Sequence, residues 1–366
     1  LLGGRVDAGR SGDALMARLL ITGAAGYLGS WVVFEALQQG HQVHATVRSM
    51  DETHKVAHLL EWRKQYPQQL QLFEANLLKE NSFDAAMQGC EVLLHTASPY
   101  LRKAKQDANR EIVQPAVEGT RNVLQSASRC ATLHRVVLTS SVVAMMNGMK
   151  SVHALPNHQL QEGCWNESST AQSDPYAYAK TQAEKLAWKM WDSQQQWDLV
   201  CINPGVIFGP SLSKRVEAES VQMILQFIGG QFAAGIPDLH FAVVDVRDVA
   251  RAHVNAATQA HARSRYMLVA RDASLALIAD QIGKAFPALR SKMPKRKLPK
   301  WLVWLVGPSV GLQRNFVRDN VGYAGRFDAK RCTEELGIQY RPLHTTLAQH
   351  VEQIWQDGLA QAPASP

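Results

Sequence analysis

Long apolar runs are missing from this chain of 366 residues. The best candidate, Trp301 to Val306, is far short of the roughly 20 residues a membrane helix needs, so a membrane bundle is not indicated. Cysteine is scarce. The five at 90, 130, 164, 201 and 332 contain no Cys-x-x-Cys pair, so neither a disulfide framework nor a zinc knuckle is expected, and a reducing cytoplasm is the natural setting. Cys90 and Cys201 lie in apolar strand surroundings and read as small core residues. The 13 histidines include no His-Glu-x-x-His, and His41 and His44 simply bracket a strand, so no metal site is expected. There is no internal repeat and no low-complexity tract. An apolar fraction of 46% is ordinary for a globular protein and speaks against disorder. The formal charge is +7 with Lys and Arg occurring along the chain, which suits anionic small molecules better than nucleic acid.

What is present begins at residue 18. Arg18-Leu-Leu-Ile-Thr22 is a buried-strand run that leads straight into glycines at 23, 26 and 29, and Trp31 to Leu37 continue as a helix until Gly40. In such a turn Gly23 allows the tight exit from the strand, Gly26 lets backbone N–H groups approach a pyrophosphate, and Gly29 lets helix and sheet pack closely. The spacing is Gly-x-x-Gly-x-x-Gly rather than Gly-x-Gly-x-x-Gly, yet strand and helix are both in place. Phosphates would sit on the positive end of the helix. The loop Thr22, Gly23, Gly26, Tyr27, Leu28 and Gly29 is therefore expected to bind a dinucleotide.

Strand and helix alternate through the first two-thirds. Strands are expected at 42–47, 70–74, 91–95, 136–139 and 199–202, and helices across 52–66, 83–88, 108–130 and 176–193. Apolar strands separated by helices predict an α/β fold: a doubly wound parallel sheet covered on both faces, with a smaller C-terminal substrate lobe. The expected boundaries are a flexible extension at 1–15 and a dinucleotide-binding domain at 16–210, with strands returning near 241–256 and 265–270. A substrate lobe at 211–358 and a tail at 359–366 complete the chain. The basic stretch 292–300 and the aromatic run after it are expected to pack into the substrate lobe with solvated lysines, the alternative being a membrane-surface helix.

Tyr176 and Lys180 stand four apart, one turn from each other on one helix face. A tyrosine with an ordinary pKa of ~10 exchanges protons poorly at neutral pH, and a neighbouring ammonium favours its phenolate. Thr139-Ser140-Ser141 closes the fifth strand at the carboxyl edge of the sheet, where ligands of such sheets bind. A hydroxyl there can hold a carbonyl oxygen as negative charge develops on it. On the second strand, Arg48 stands where an acidic residue would bond both ribose hydroxyls, and a guanidinium suits a 2′-phosphate. NADP(H) is therefore favoured, with NAD(H) the alternative.

On these segments, together with His95 to Pro99, Pro115 to Thr120, Asn203 to Pro210, Val244 to Val249 and Leu336-Gly337 before Arg341-Pro342, the chain resembles the extended short-chain dehydrogenase/reductases. More narrowly it is similar to the dihydroflavonol reductases, cinnamoyl-CoA reductases and microbial aldehyde/ketone reductases, over about Met16 to Gly358. The resemblance implies Ser141 as the catalytic serine, with Ser140 the alternative, Tyr176 as general acid and Lys180 as the residue that tunes it and binds ribose. It further implies that Lys55 is a second phosphate-binding position, that His95, Thr96 and Ala97 flank the cofactor, and that Pro204, Gly205, Val206 and Ile207 lie along the nicotinamide. Asn76 and Leu77 replace the usual Asp-Leu beside the adenine, and Met146 stands where the dihydroflavonol reductases carry an asparagine, which argues against a flavonoid. Ser98, Met146 and Phe208 are assigned to the substrate side.

The expected function is thus NADPH-dependent reduction of a small or medium aldehyde or ketone. The expected partner is the small-molecule carbonyl compound alone, without nucleic acid or membrane, in a monomer or homodimer. A nucleotide-sugar epimerase or dehydratase is the second reading, although Val142-Val143 stand where dehydratases place an Asp-Glu pair. A redox-sensing NADP-binding protein without catalysis is the third.

Overall fold

The computed structural model describes residues 16–99, 104–214 and 216–363, so the extension at 1–15 lies outside the described residues. The first half alternates β1 (Arg18–Thr22), α1 (Tyr27–Gln38), β2 (Gln42–Val47), α2 (Thr53–Gln65), β3 (Leu70–Glu74), α3 (Asp84–Met87), β4 (Val92–His95), α4 (Gln114–Arg129) and β5 (Arg135–Thr139). It continues with α5 (Gly148–His153), β6 (Gln159–Leu160), α6 (Pro175–Asp192), β7 (Asp198–Pro204), β8 (Val206–Phe208), α7 (Glu219–Gly229), β9 (Ile236–Pro237), β10 (His240–Asp245) and α8 (Val246–Thr258). The last third holds β11 (Ser264–Leu268), β12 (Arg271–Ser274), α9 (Leu275–Ala285), β13 (Lys297–Leu298), α10 (Lys300–Val306), α11 (Arg314–Asn320), β14 (Arg326–Phe327), α12 (Lys330–Glu334) and α13 (Leu343–Gln356).

Seven strands form one parallel sheet in the order β11-β7-β5-β4-β1-β2-β3. Its central strands are apolar throughout because helices cover both faces: Leu19, Ile21, Val92 and Leu94 face a core shared with α1, α2 and α8, and Leu20, Leu93 and Val136 face one shared with α3 and α4. The chain runs outward in opposite directions from β1 and β4, so the carboxyl ends of these two strands mark the topological switch point where such sheets bind ligands. The C-terminal lobe has its own core, in which α7, α9 and α13 pack around Phe208 and Phe227.

Three expectations about the C-terminal part of the chain are corrected. Only β11 returns to the main sheet; β10 pairs instead with β8 and β12 in a separate three-stranded sheet, and what returns from 246 onward is the helix α8. The chain leaves the main sheet at Gly205, where a Cβ would lie 2.3 Å from the Ala242 carbonyl oxygen, so this close crossing requires glycine. The aromatic run of α10 does not pack into the lobe: Val303 is buried, while Trp301, Trp304, Leu305 and Val306 are exposed. The tail is shorter than expected, since Leu359 and Ala360 pack against the C-terminal core, and 364–366 lie outside the described residues. No helix among the described residues is long and apolar enough to cross a membrane.

Gly205→Ala is expected to lower stability by about 3 kcal/mol, as overpacking against an immobile backbone does, read as a lower thermal midpoint. Gly229→Ala, which meets open space, should not lower it.

Candidate active site

The glycine loop is built by close approach. Gly23 has φ +69°, and a Cβ on it would lie 2.9 Å from the Ala97 Cα at the end of β4. A Cβ on Gly29 would lie 2.2 Å from the Gly23 carbonyl oxygen, so α1 can start this near the sheet only with glycine there. Gly26 is the N-cap of α1 and no side chain caps it, which leaves the first N–H groups of a 12-residue helix without a side-chain acceptor. An anion is their natural partner, and this loop fits the pyrophosphate of a dinucleotide. The Tyr27 side chain is taken up within the fold: its hydroxyl donates to the Gly209 carbonyl at 2.7 Å, and burial, then Asp245, push its pKa well above the usual range. Leu28 packs against the core beneath α1.

At the switch point, Thr22 joins β1 to β4. Its hydroxyl lies 2.8 Å from His95 Nδ1 and accepts the Ala97 N–H at 3.1 Å, while Thr96 donates to the Thr22 carbonyl at 2.6 Å. Burial, reinforced by Lys180, pulls His95 down to about 3, so it is neutral throughout the working range. One small enclosed cavity of about 20 Å³ is lined by His95, Ala97, Ser98, Ser140, Lys180 and Glu184. The lysine of α6 therefore reaches the carboxyl ends of β4 and β5 beside the glycine loop.

The three hydroxyls after β5 have different occupations. His253 Nδ1 lies 2.8 Å from the Val249 carbonyl, which can only accept, and burial holds this ring down at about 4. Its Nε2 is then an acceptor, and Thr139 donates to it at 2.7 Å. Ser140 donates to Glu184 Oε2 at 2.5 Å. Ser141, at the start of the 3₁₀ turn Val142–Ala144, makes only long contacts: 3.4 Å to the Val143 N–H and 3.5 Å to the Pro204 carbonyl. Its hydroxyl is the least committed of the three.

Sequence reasoning missed Glu184. Its side chain has no exposed surface, yet it accepts from Arg265 Nε at 2.7 Å, Asn203 Nδ2 at 2.8 Å and Trp188 Nε1 at 3.3 Å besides Ser140. Arg265 goes on to the Glu162 and Cys164 carbonyls at 2.8 and 2.6 Å and stacks 4.0 Å over Trp165. The available signal was the spacing, since Tyr176, Lys180 and Glu184 recur every four residues and so share one face of α6. That helix starts sharply because Asp174 accepts the Ala177 N–H at 3.0 Å and Pro175 occupies its first position. Tyr176 thus sits in the first turn, where the helix dipole favours negative charge. Burial, opposed by Glu184, pulls Lys180 down to about 8.

The remaining expected residues are spread around this centre. Arg48 is exposed immediately after β2. Lys55 pairs with Glu52 at 2.5 Å rather than standing open to a phosphate. The Asn76 side-chain oxygen accepts the Leu78 N–H at 3.0 Å and so holds its own turn, while Leu77 packs on Gly119 of α4. Gly205 N–H is bonded to Leu268, Val206 and Ile207 are half-buried in β8, and Pro204 ends β7 beside Ser141. Met146 is half-buried against Val142 and Val152. Phe208, expected on the substrate side, is wholly buried in the C-terminal core, its ring 6.3 Å from His350.

Residues 19–269 match the NAD dependent epimerase/dehydratase family. The chain is 34% identical over 339 residues to the cinnamoyl-CoA reductase CAD2 of Medicago truncatula, covering 91% of this chain and 94% of that protein. It is 30% identical over 277 residues to the dihydroflavonol 4-reductase of Gerbera hybrida, covering 74% and 73%. Among solved structures it is similar to Gre2 of Candida albicans in complex with NADPH, at 29% identity and a TM-score of 0.76, over 93% of this chain and 99% of that one. Yeast methylglyoxal/isovaleraldehyde reductase Gre2 complexed with NADPH has 26% identity and the same TM-score, over 93% and 98%. The chain belongs to the NAD dependent epimerase/dehydratase family and is an NAD(P)-dependent oxidoreductase of the extended short-chain dehydrogenase/reductase type.

Proposed function

We propose that this protein is a reductase of small or medium aldehydes or ketones whose working groups are Ser141, Tyr176 and Lys180. The observation that carries the reading is the shared cavity at the switch point, which sets Lys180 beside the ends of β4 and β5 and next to the glycine loop. NADP(H) is the favoured cofactor. When bound, it supplies the hydride that adds to the carbonyl carbon.

The chain's own residues do the rest. Tyr176 donates its phenolic proton to the carbonyl oxygen as charge develops there, and Ser141 donates a hydrogen bond to the same oxygen. Lys180, one turn further along α6, and the positive end of that helix both stabilise the phenolate left behind. Arg48 receives the 2′-phosphate. Oxidation of the alcohol runs through the same groups in reverse.

NADPH depletion over a panel of aliphatic and aromatic carbonyl compounds, with NADH in parallel, tests the reading; no turnover of any carbonyl compound would overturn it. Tyr176→Phe is expected to lower kcat by a factor of about 10²–10⁴, the usual contribution of a positioned acid, with NADPH affinity nearly unchanged. Ser141→Ala should cost more in kcat than in thermal stability, and Ser140→Ala the reverse. Arg48→Ala should raise the KM for NADPH several-fold and leave that for NADH alone.

Lys180 yields a pH prediction. An unfolded lysine titrates near ~10.4 and the folded one near about 8, so below both values the fold carries the penalty of a buried ammonium. Between them the unfolded chain holds more protons, and stability rises with pH. Lys180→Met should therefore abolish turnover yet raise the thermal midpoint at neutral pH, with the difference from the parent shrinking as pH climbs above about 8.

A further inference from the structure

The acids of this chain avoid one region. Residues 281–318 hold nine Lys and Arg and no Asp or Glu, so the remaining residues, with 30 cations against 32 acids, are slightly acidic. The whole basic balance of the protein is carried by this one segment, which lies in the C-terminal lobe. Three of the nine are partnered by acids outside the segment: Lys284 with Asp280, Lys297 with Asp238 and Arg318 with Asp319. The other six, Arg290, Lys292, Lys295, Arg296, Lys300 and Arg314, have no carboxylate partner among the described residues. Lys284, Arg290, Lys295, Arg296 and Lys297 line one cleft of about 360 Å³.

The same segment carries the apolar surface. Of the eight large apolar residues that are strongly exposed among the described residues, five lie between 301 and 310: Trp301 at 68%, Trp304, Leu305, Val306 and Val310 at 72%. Arg314 stacks 4.4 Å from the Trp304 ring and Lys300 lies 4.4 Å over Tyr323, so cations and exposed rings are interleaved rather than segregated.

We infer that this face docks on an anionic lipid bilayer. A charged headgroup layer over a hydrocarbon interior answers both halves of the surface: unpaired cations meet lipid phosphates, and two tryptophans with three aliphatic side chains enter the boundary region that indoles favour. A nucleic acid would satisfy the cations and leave Leu305, Val306 and Val310 against phosphate. A second copy of the chain would set six unpaired cations against the same six. The inference is independent of the catalytic assignment, because none of these residues belongs to that site.

Co-sedimentation of the full chain with vesicles tests it. With vesicles of phosphatidylcholine and phosphatidylglycerol the protein should pellet at low salt and be released at high salt, its tryptophan emission moving to the blue on binding; with phosphatidylcholine alone it should stay in solution. Trp301→Ser with Trp304→Ser should weaken the partition about tenfold or more, and Lys295→Glu with Arg296→Glu about a hundredfold, both variants keeping the parent's thermal midpoint. No pelleting, equal pelleting with both vesicle types, or variants as tightly bound as the parent would overturn the inference. It would equally fall if the vesicles were ignored while the tryptophan variants dissociated a dimer, or the charge variants abolished binding to duplex DNA.

Discussion

A carboxylate without exposed surface holds the centre of this protein together. Ser140 follows β5, Asn203 lies on β7 and Arg265 on β11, and all three donate to Glu184 of α6. Burying an ion costs several kcal/mol unless its lone pairs are filled, and here both oxygens are occupied. The pair is more than a stabilising contact because of its neighbours. Lys180 is one turn before Glu184, and Ser141 is the residue after Ser140, so fixing the carboxylate fixes the level of the lysine and the direction of the free hydroxyl. Arg265 extends the same constraint to the 162–165 loop. On the proposed assignment Glu184 would act by positioning the groups beside it.

The electrostatics around it are consistent with a phenol as the proton donor. The two histidines nearest the strand ends are held neutral by burial, His95 near about 3 and His253 near about 4; His95 gives Nδ1 to Thr22, and His253 gives its two nitrogens to Thr139 and the Val249 carbonyl. Neither takes on a second proton, and so neither is an acid, in the working range. Lys180, drawn down to about 8, is the titrating cation closest to neutrality in the cavity. A buried ammonium is costly to the fold, and its retention here is what a charge-stabilising role beside Tyr176 demands.

Much of this was legible in the residues. Short apolar runs located β1 to β5 and the helical stretches that follow them located α1 and α6 to within a residue or two, since a strand covered on both faces is apolar along its whole length. The glycine loop was legible because its chemistry lies in backbone geometry that only glycine permits. Glu184 was not, because a glutamate on a helix looks like any solvated charge until its partner is found, and Arg265 is 81 residues further on. The departure of β8 and β10 from the main sheet hinges on the contact between Gly205 and Ala242, which no local pattern encodes. Trp301 to Val306 reads as core by composition, yet a seven-residue helix that buries Val303 has no second apolar partner to turn its rings inward.

The central claim is that α6 presents Tyr176 and Lys180 to the reactive edge of the bound coenzyme, with Ser141 opposite. A crystal structure of the NADP⁺ complex measures this directly. The account predicts the Tyr176 hydroxyl and the Lys180 ammonium within roughly 2.6–3.2 Å of the nicotinamide ribose or of the substrate oxygen's position, and the Ser141 hydroxyl within the same reach of that oxygen. A Tyr176 side chain turned to solvent, or a nicotinamide lying away from the ends of β4 and β5, would contradict it.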